Sequence, residues 1–218
     1  MQVKNNGIYI TGTTTVGITY KEGIILGADR RVSDAYNKKV AHKTGKKILQ
    51  IDDHIVATIA GSVADAQFLI DQLRANAKLY KYYNNRPISV KSIANLASII
   101  LFNSRLFPYI TEINIGGYDR YGPSLYTVDL LGSLTKEKYI ARGSGSPYAM
   151  GLIEARYKPE LELNEGIIIV VEALKSSISW DLFTGEGIDI AIVDKKGMRF
   201  LTEEEINYYI SKVETEKR

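Results

Sequence analysis

The stretch Thr13-Thr14-Thr15-Val16-Gly17-Ile18-Thr19-Tyr20-Lys21-Glu22-Gly23-Ile24-Ile25-Leu26-Gly27-Ala28 decides how the rest of the chain is read. Val16, Ile18 and Tyr20 alternate with Thr15, Gly17 and Thr19. Lys21-Glu22-Gly23 is a turn signal, and Ile24-Ile25-Leu26 follows it, so residues 13–28 read as a β-hairpin. A second hairpin reads from Lys47-Ile48-Leu49 through an Asp52-Asp53 turn to Ile55-Val56-Ala57-Thr58-Ile59.

The period then changes. Ala66, Ile70, Leu73, Ala77 and Tyr80 recur at helical spacing behind Ser62, with Asp65 completing a variant capping box. Ser89 caps a second helix with Ile93, Leu96, Ala97 and Ile100 on one face. Strands return at Glu112–Gly116, Ser124–Asp129 and Lys138–Ala141. Ser146-Pro147 reads as an N-cap with proline at the first helical position, opening a helix through Tyr157. Asn164 to Ser179 has strand propensity around Ile167–Val171, yet its length suits a buried helix better. Ile188–Val193 is the last strand, Asp194-Lys195-Lys196-Gly197 a turn, and Thr202 caps a final helix. Strands, two helices, strands, two helices and a strand make a four-layer α/β architecture, two antiparallel sheets with helices on their outer faces.

Composition narrows the chemistry. With 218 residues, 45% of them hydrophobic, the chain suffices for one well-buried domain. Its 28 basic and 25 acidic residues are interspersed, which argues for neither a nucleic-acid nor a membrane partner. The absence of cysteine excludes disulfides, thiolate metal sites and Cys nucleophiles. His42 and His54 are too few for a His-rich metal site and read as solvated loop residues, so no metal and no cofactor are expected. Residues 1–12 carry no apolar core and no secretory signal, and a cytoplasmic location is expected.

The Thr13-Thr14-Thr15 run has two readings. Threonine is a good strand former, and a threonine run at a strand start needs no further explanation. Scission between Gly12 and Thr13 would instead leave a threonine with a free α-amine. Its unperturbed pKa near ~8 makes it a base beside its own hydroxyl. Such a site needs a cation and an anion to hold it. Asp29 and Lys47, at the hairpin ends, could converge on the head of the first strand, which the sequence does not show, and each alone reads first as a surface charge. The Gly143-Ser144-Gly145-Ser146 element lacks the spacing of a phosphate-binding loop.

Gly12-Thr13-Thr14-Thr15-Val16-Gly17, Ala28-Asp29-Arg30-Arg31, Lys46-Lys47-Ile48, Thr58-Ile59-Ala60-Gly61, Gly143-Ser144-Gly145-Ser146-Pro147 and Asp181-Leu182-Phe183-Thr184-Gly185 stand in an order that resembles archaeal proteasome β subunits. The resemblance covers nearly the whole chain. It implies the αββα sandwich of the Ntn-hydrolases, with residues 1–12 a propeptide and 13–218 a single domain. It also implies a threonine endopeptidase acting on unfolded polypeptide.

In that pattern Thr13 matches the nucleophile exposed by self-cleavage after Gly12, Lys47 the catalytic lysine and Asp29 its acidic partner. Ser144 and Asp181 match the pair that orients the threonine, and the Gly61 N–H matches the oxyanion donor. Thr184 stands where many members have serine. Ser33 replaces a threonine whose backbone binds substrate. The segment from Asp34 to Lys46 is longer than the family pattern, so Lys47 is assigned on Ile48 and the strand phase.

Val32, Gly45, Leu49 and Ile59 match the primary pocket and imply cleavage after hydrophobic residues. The implied partners are α subunits and other β subunits in stacked seven-membered rings, with an AAA+ ATPase acting through the α ring. Two other readings stand beside this one: a structural, unprocessed β subunit and an unrelated Ntn-type amidohydrolase.

Overall fold

The computed structural model describes residues 12–34 and 39–215, so all but Gly12 of the expected propeptide lies outside the described residues. The described residues open with six strands: β1 (Thr15–Tyr20), β2 (Gly23–Asp29), β3 (Val32–Asp34), β4 (Lys39–His42), β5 (Ile48–Asp52) and β6 (Ile55–Gly61). Helices α1 (Val63–Asn84) and α2 (Val90–Asn103) follow, then β7 (Thr111–Asp119), β8 (Gly122–Val128), β9 (Leu134–Glu137) and β10 (Tyr139–Arg142). The rest is α3 (Ser146–Arg156), α4 (Leu163–Trp180), β11 (Ile188–Asp194), β12 (Gly197–Phe200) and α5 (Glu203–Thr215).

Two five-stranded antiparallel sheets result, ordered β10-β1-β2-β11-β12 and β5-β6-β7-β8-β9, with β3 and β4 a separate hairpin. The period-2 pattern explains the stacking. Ile24, Leu26 and Ala28 on β2 meet Ile48, Val56 and Leu125 in a layer between the sheets. Alternate residues turn outward: Val16, Ile18 and Ile25 join α3 and α4, while Ile55, Ala57 and Ile59 join α1 and α2. A strand buried on both faces reads as an apolar run, which is why Ile24-Ile25-Leu26 shows no alternation. Ile167–Val171 lies within α4, closed at its start by a Glu162–Glu165 capping box.

Several local expectations are corrected. β3, β4, β9 and β12 were not anticipated, because strands of three or four residues are too short to carry a period. Helix α3 begins at Ser146 with Gly145 as its N-cap, one residue before the expected cap. A side chain at Gly145 would come within 2.1 Å of Thr14 Oγ1, so a bulkier cap has no room. Ser62 accepts the Asp65 N–H as expected, but the Asp65 carboxylate accepts from Ile110 N–H at 2.9 Å and so ties α1 to the loop before β7. His54 is half-buried rather than solvated, its Nε2 lying 2.8 Å from the Ile88 carbonyl.

Leu26 is wholly buried in the layer between the sheets, whereas Leu131 is about half exposed. Leu26→Ala is expected to lower unfolding stability by ~2–5 kcal/mol in a urea titration, and Leu131→Ala by less than ~0.5 kcal/mol. Equal, small losses for both would contradict the inter-sheet layer.

Candidate active site

Antiparallel pairing of β1 with β2 sets Thr15 opposite Ala28, and the Asp29 N–H donates to the Thr14 carbonyl at 3.2 Å. The last residue of β2 therefore lies beside the residues that lead into β1. Asp29 is fully buried and accepts five hydrogen bonds. Its Oδ1 takes the Thr13 hydroxyl at 3.0 Å, the Thr14 N–H at 2.9 Å and the Lys47 ammonium at 2.7 Å. Its Oδ2 takes the N–H groups of Arg31 at 3.1 Å and Gly185 at 3.0 Å.

Lys47 comes from the other sheet. It directly precedes β5, and its carbonyl accepts the Ile59 N–H of β6 at 3.0 Å. Burial holds its ammonium below the ordinary lysine value, against the opposing pull of the Asp29 and Asp181 carboxylates. The Thr13 hydroxyl and the Lys47 ammonium thus share one acceptor atom, the arrangement that the hairpin ends suggested.

A second polar chain reaches Thr13 from α3 and α4. The Thr13 N–H donates to Ser144 Oγ at 3.1 Å, and Ser144 Oγ lies 2.7 Å from Asp181 Oδ2 and 3.3 Å from the Thr13 carbonyl. With one proton to give, the serine serves the closer, charged acceptor. Thr184 donates to the same Asp181 oxygen and lies 2.8 Å from Thr14 Oγ1, so its hydroxyl links the two. The Gly145 N–H donates to the Thr13 carbonyl at 3.3 Å. Gly143 takes φ +93°, and a Cβ there would fall 2.2 Å from that carbonyl, so only glycine fits.

An open cleft of about 1370 Å³ runs past this centre, lined by Lys47, Gly61, Ser33, Val32, Gly45, Leu49 and Ile59. Lys47, Gly61 and the five expected pocket residues therefore face one space, whereas Thr13 is itself buried and not part of its lining. Gly61 ends β6 with φ +112°, and a Cβ there would meet the Ile110 carbonyl at 2.3 Å. The start of α1 adds Val63, Ala66 and Gln67, which the sequence reading missed. Their signal was present: the helix begins two residues after Gly61. The walls also carry Lys39, His42 and Lys46, with Asp34 and Asp65, so charge is nearer the apolar floor than expected.

Three further residues were missed. Arg31 donates from Nη1 to the Leu182 carbonyl at 2.8 Å and pairs with Glu186 at 3.3 Å. Ser177 donates to the Gly145 carbonyl at 2.9 Å and braces the glycine-rich loop. The Phe183 carbonyl accepts the Ser33 hydroxyl at 3.1 Å, which ties β3 to the Asp181 turn. In the intact chain the Thr13 nitrogen is an amide; severing its bond to Gly12 would turn it into an amine held by Ser144.

Asp29 is fully buried, so removing its cation should be costly. Lys47→Met is expected to lower stability by ~3–5 kcal/mol. Asp29→Asn together with Lys47→Met should regain part of that loss in a double-mutant cycle. A single Lys47→Met variant as stable as the parent would show that the pair is not the hub described here.

A family model described as "Proteasome subunit" matches residues 9–193. "Proteasome subunit beta 2" of Nitrosopumilus maritimus is 45% identical over 194 residues, covering 89% of this chain and 91% of the relative. "Proteasome subunit beta" of Methanothermobacter thermautotrophicus is 44% identical over 198 residues, covering 90% and 93%. "Proteasome subunit beta 2" of Pyrobaculum islandicum is 46% identical over 188 residues, covering 86% and 93%.

Proposed function

We propose that this chain, which belongs to the proteasome subunit family as one of its β subunits, is a catalytic member: an N-terminal threonine endopeptidase that cuts unfolded polypeptides into peptides. The observation that carries the reading is the convergence of the Thr13 hydroxyl and the Lys47 ammonium on one buried oxygen of Asp29. A solvated surface charge has no need of such an arrangement, and a threonine at a plain strand start has no need of a buried cation.

The reaction follows from the residues. Self-cleavage after Gly12 removes residues 1–12 and frees the Thr13 amine. Before that step the nitrogen is an amide and accepts no proton. Lys47, whose ammonium burial holds below its ordinary value and which shares the Asp29 Oδ1 atom with the hydroxyl, then serves as the base. After cleavage the amine, held by Ser144 and Asp181, takes over as base at neutral pH. Thr13 Oγ attacks a peptide carbonyl of the substrate, and the Gly61 N–H receives the developing oxyanion. The proton passes through the amine to the leaving nitrogen, and water hydrolyses the ester.

The apolar floor formed by Val32, Leu49 and Ile59 selects a hydrophobic side chain before the scissile bond. Assembly follows the family pattern of stacked seven-membered rings with α subunits, fed by an AAA+ ATPase in the cytoplasm. Among the described residues no helix is long and apolar enough to cross a membrane. The competing role is a structural β subunit that stays unprocessed, and relatives carry both the names beta 1 and beta 2.

Assembled with an α-type partner, Thr13→Ala is expected to lose peptide hydrolysis by roughly a thousandfold or more, with Thr13→Ser retaining part of it. The structural role instead predicts no change. Fluorogenic peptides with an apolar residue before the cut should be preferred; preference for acidic or basic ones would overturn the pocket assignment. The self-cleavage rate should rise with pH, because the neutral fraction of Lys47 grows as pH climbs toward a pKa below 10.5. Lys47→Arg keeps the charge but gives up no proton, so it should block self-cleavage at every pH. Wild-type processing of that variant would exclude lysine as the base.

A further inference from the structure

Gly12 has a neighbour that its position in the chain does not announce. A Cβ built on it would lie 1.9 Å from Phe183 Cβ, 2.5 Å from Cγ and 3.1 Å from Cδ2. The nearest of these atoms is the root of a side chain and not its flexible end, so a change of rotamer does not relieve the contact.

Residue 183 is also held where it is. The Asp181–Thr184 turn is closed by the Thr184 N–H on the Asp181 carbonyl at 3.2 Å. Ser33 bonds the Phe183 carbonyl and Arg31 the Leu182 carbonyl. The following Gly185 N–H is bound to Asp29. On the other side of Gly12, Thr13 is fixed through its N–H by Ser144, through its hydroxyl by Asp29 and through its carbonyl by Gly145. The peptide that joins Gly12 to Thr13 lies between these two fixed bodies.

We infer that residue 183 is a steric gate for self-cleavage, its Cβ admitting only glycine at position 12 and so holding the Gly12 carbonyl against the Thr13 hydroxyl. Phe183 is a positioning residue in this scheme. The inference rests on the reading of Thr13 as nucleophile. The step it serves is an acyl shift. Thr13 Oγ bonds to the Gly12 carbonyl carbon, the bond from that carbon to the Thr13 nitrogen breaks, and the hydroxyl proton ends on that nitrogen. Water then cleaves the ester, leaving a carboxylate on Gly12 and restoring the Thr13 hydroxyl. A side chain at position 12 would push the carbonyl carbon off the path of Oγ.

The test follows processing of the full chain, assembled with an α-type partner, by intact mass over time. Gly12→Ala is expected to slow loss of residues 1–12 by about tenfold to a hundredfold. In that background Phe183→Gly, which removes the opposing Cβ, should recover most of the rate. Phe183→Ala, which keeps it, should recover little. The inference is overturned if Gly12→Ala processes at the parent rate, or if Phe183→Ala rescues as well as Phe183→Gly.

Because glycine at position 183 also loosens the turn, a second readout uses position 12 alone. Asn tolerates left-handed backbone but carries a Cβ, so Gly12→Asn should be no faster than Gly12→Ala. A several-fold faster Asn variant would show that backbone freedom, and not the wall at residue 183, is what glycine supplies. Failure of the underlying reading looks different: the parent chain, with both glycine and phenylalanine in place, would itself stay at full mass.

Discussion

One buried carboxylate organises the molecule. Asp29 sits at the end of β2 with no exposure to solvent and is held by three side-chain or backbone donors on one oxygen and two on the other. A charge in that position is tolerable only when paired and fully hydrogen-bonded. Its cation, Lys47, belongs to the opposite sheet, so the ion pair forms only when the two sheets stack in register. The inter-sheet layer of Ile24, Leu26, Val56 and Leu125 is what brings them together. Folding and assembly of the site are therefore one event.

The second chain of polar contacts completes the restraint on Thr13. Ser144, itself bonded to Asp181, holds its nitrogen, Thr184 holds Thr14, Gly145 donates to its carbonyl and Gly143 crowds it. Thr13 is thus fixed in the closed fold before any substrate arrives, and in the proposed reaction its own amine and Lys47 act where a cysteine or histidine would otherwise be needed. The lysine beside it is poised by burial, which weakens its hold on the proton without removing its charge partner.

Much of this was legible in the amino-acid sequence, and the parts that were not have physical reasons. Period 2 in Val16–Tyr20 and helical spacing from Ala66 to Ala77 gave the two hairpins and the helices, because each buries a long face. Helix α4 was legible from its length despite its β-branched run. The strands β3, β4, β9 and β12 are three or four residues long, too short to leave a pattern. His54 looked solvated because its partner, the Ile88 carbonyl, is backbone and has no sequence signature. Asp29 and Lys47 could be suspected from their places at the hairpin ends. Ser144 and Asp181 were reached only through resemblance, since nothing local says that two loops so far from Thr13 in the chain converge on it. The contact between Gly12 and Phe183 likewise has no local signal, and only the fold reveals it.

The central claim is that the buried constellation frees the Thr13 amine and then uses it. Its most direct test is the intact mass of this subunit recovered from particles assembled with an α-type partner. A mass corresponding to a chain that begins at Thr13, with Thr13→Ala particles still carrying the full chain, is the expected result. A parent subunit that still begins at Met1 in assembled particles would contradict the claim and leave the constellation a structural one.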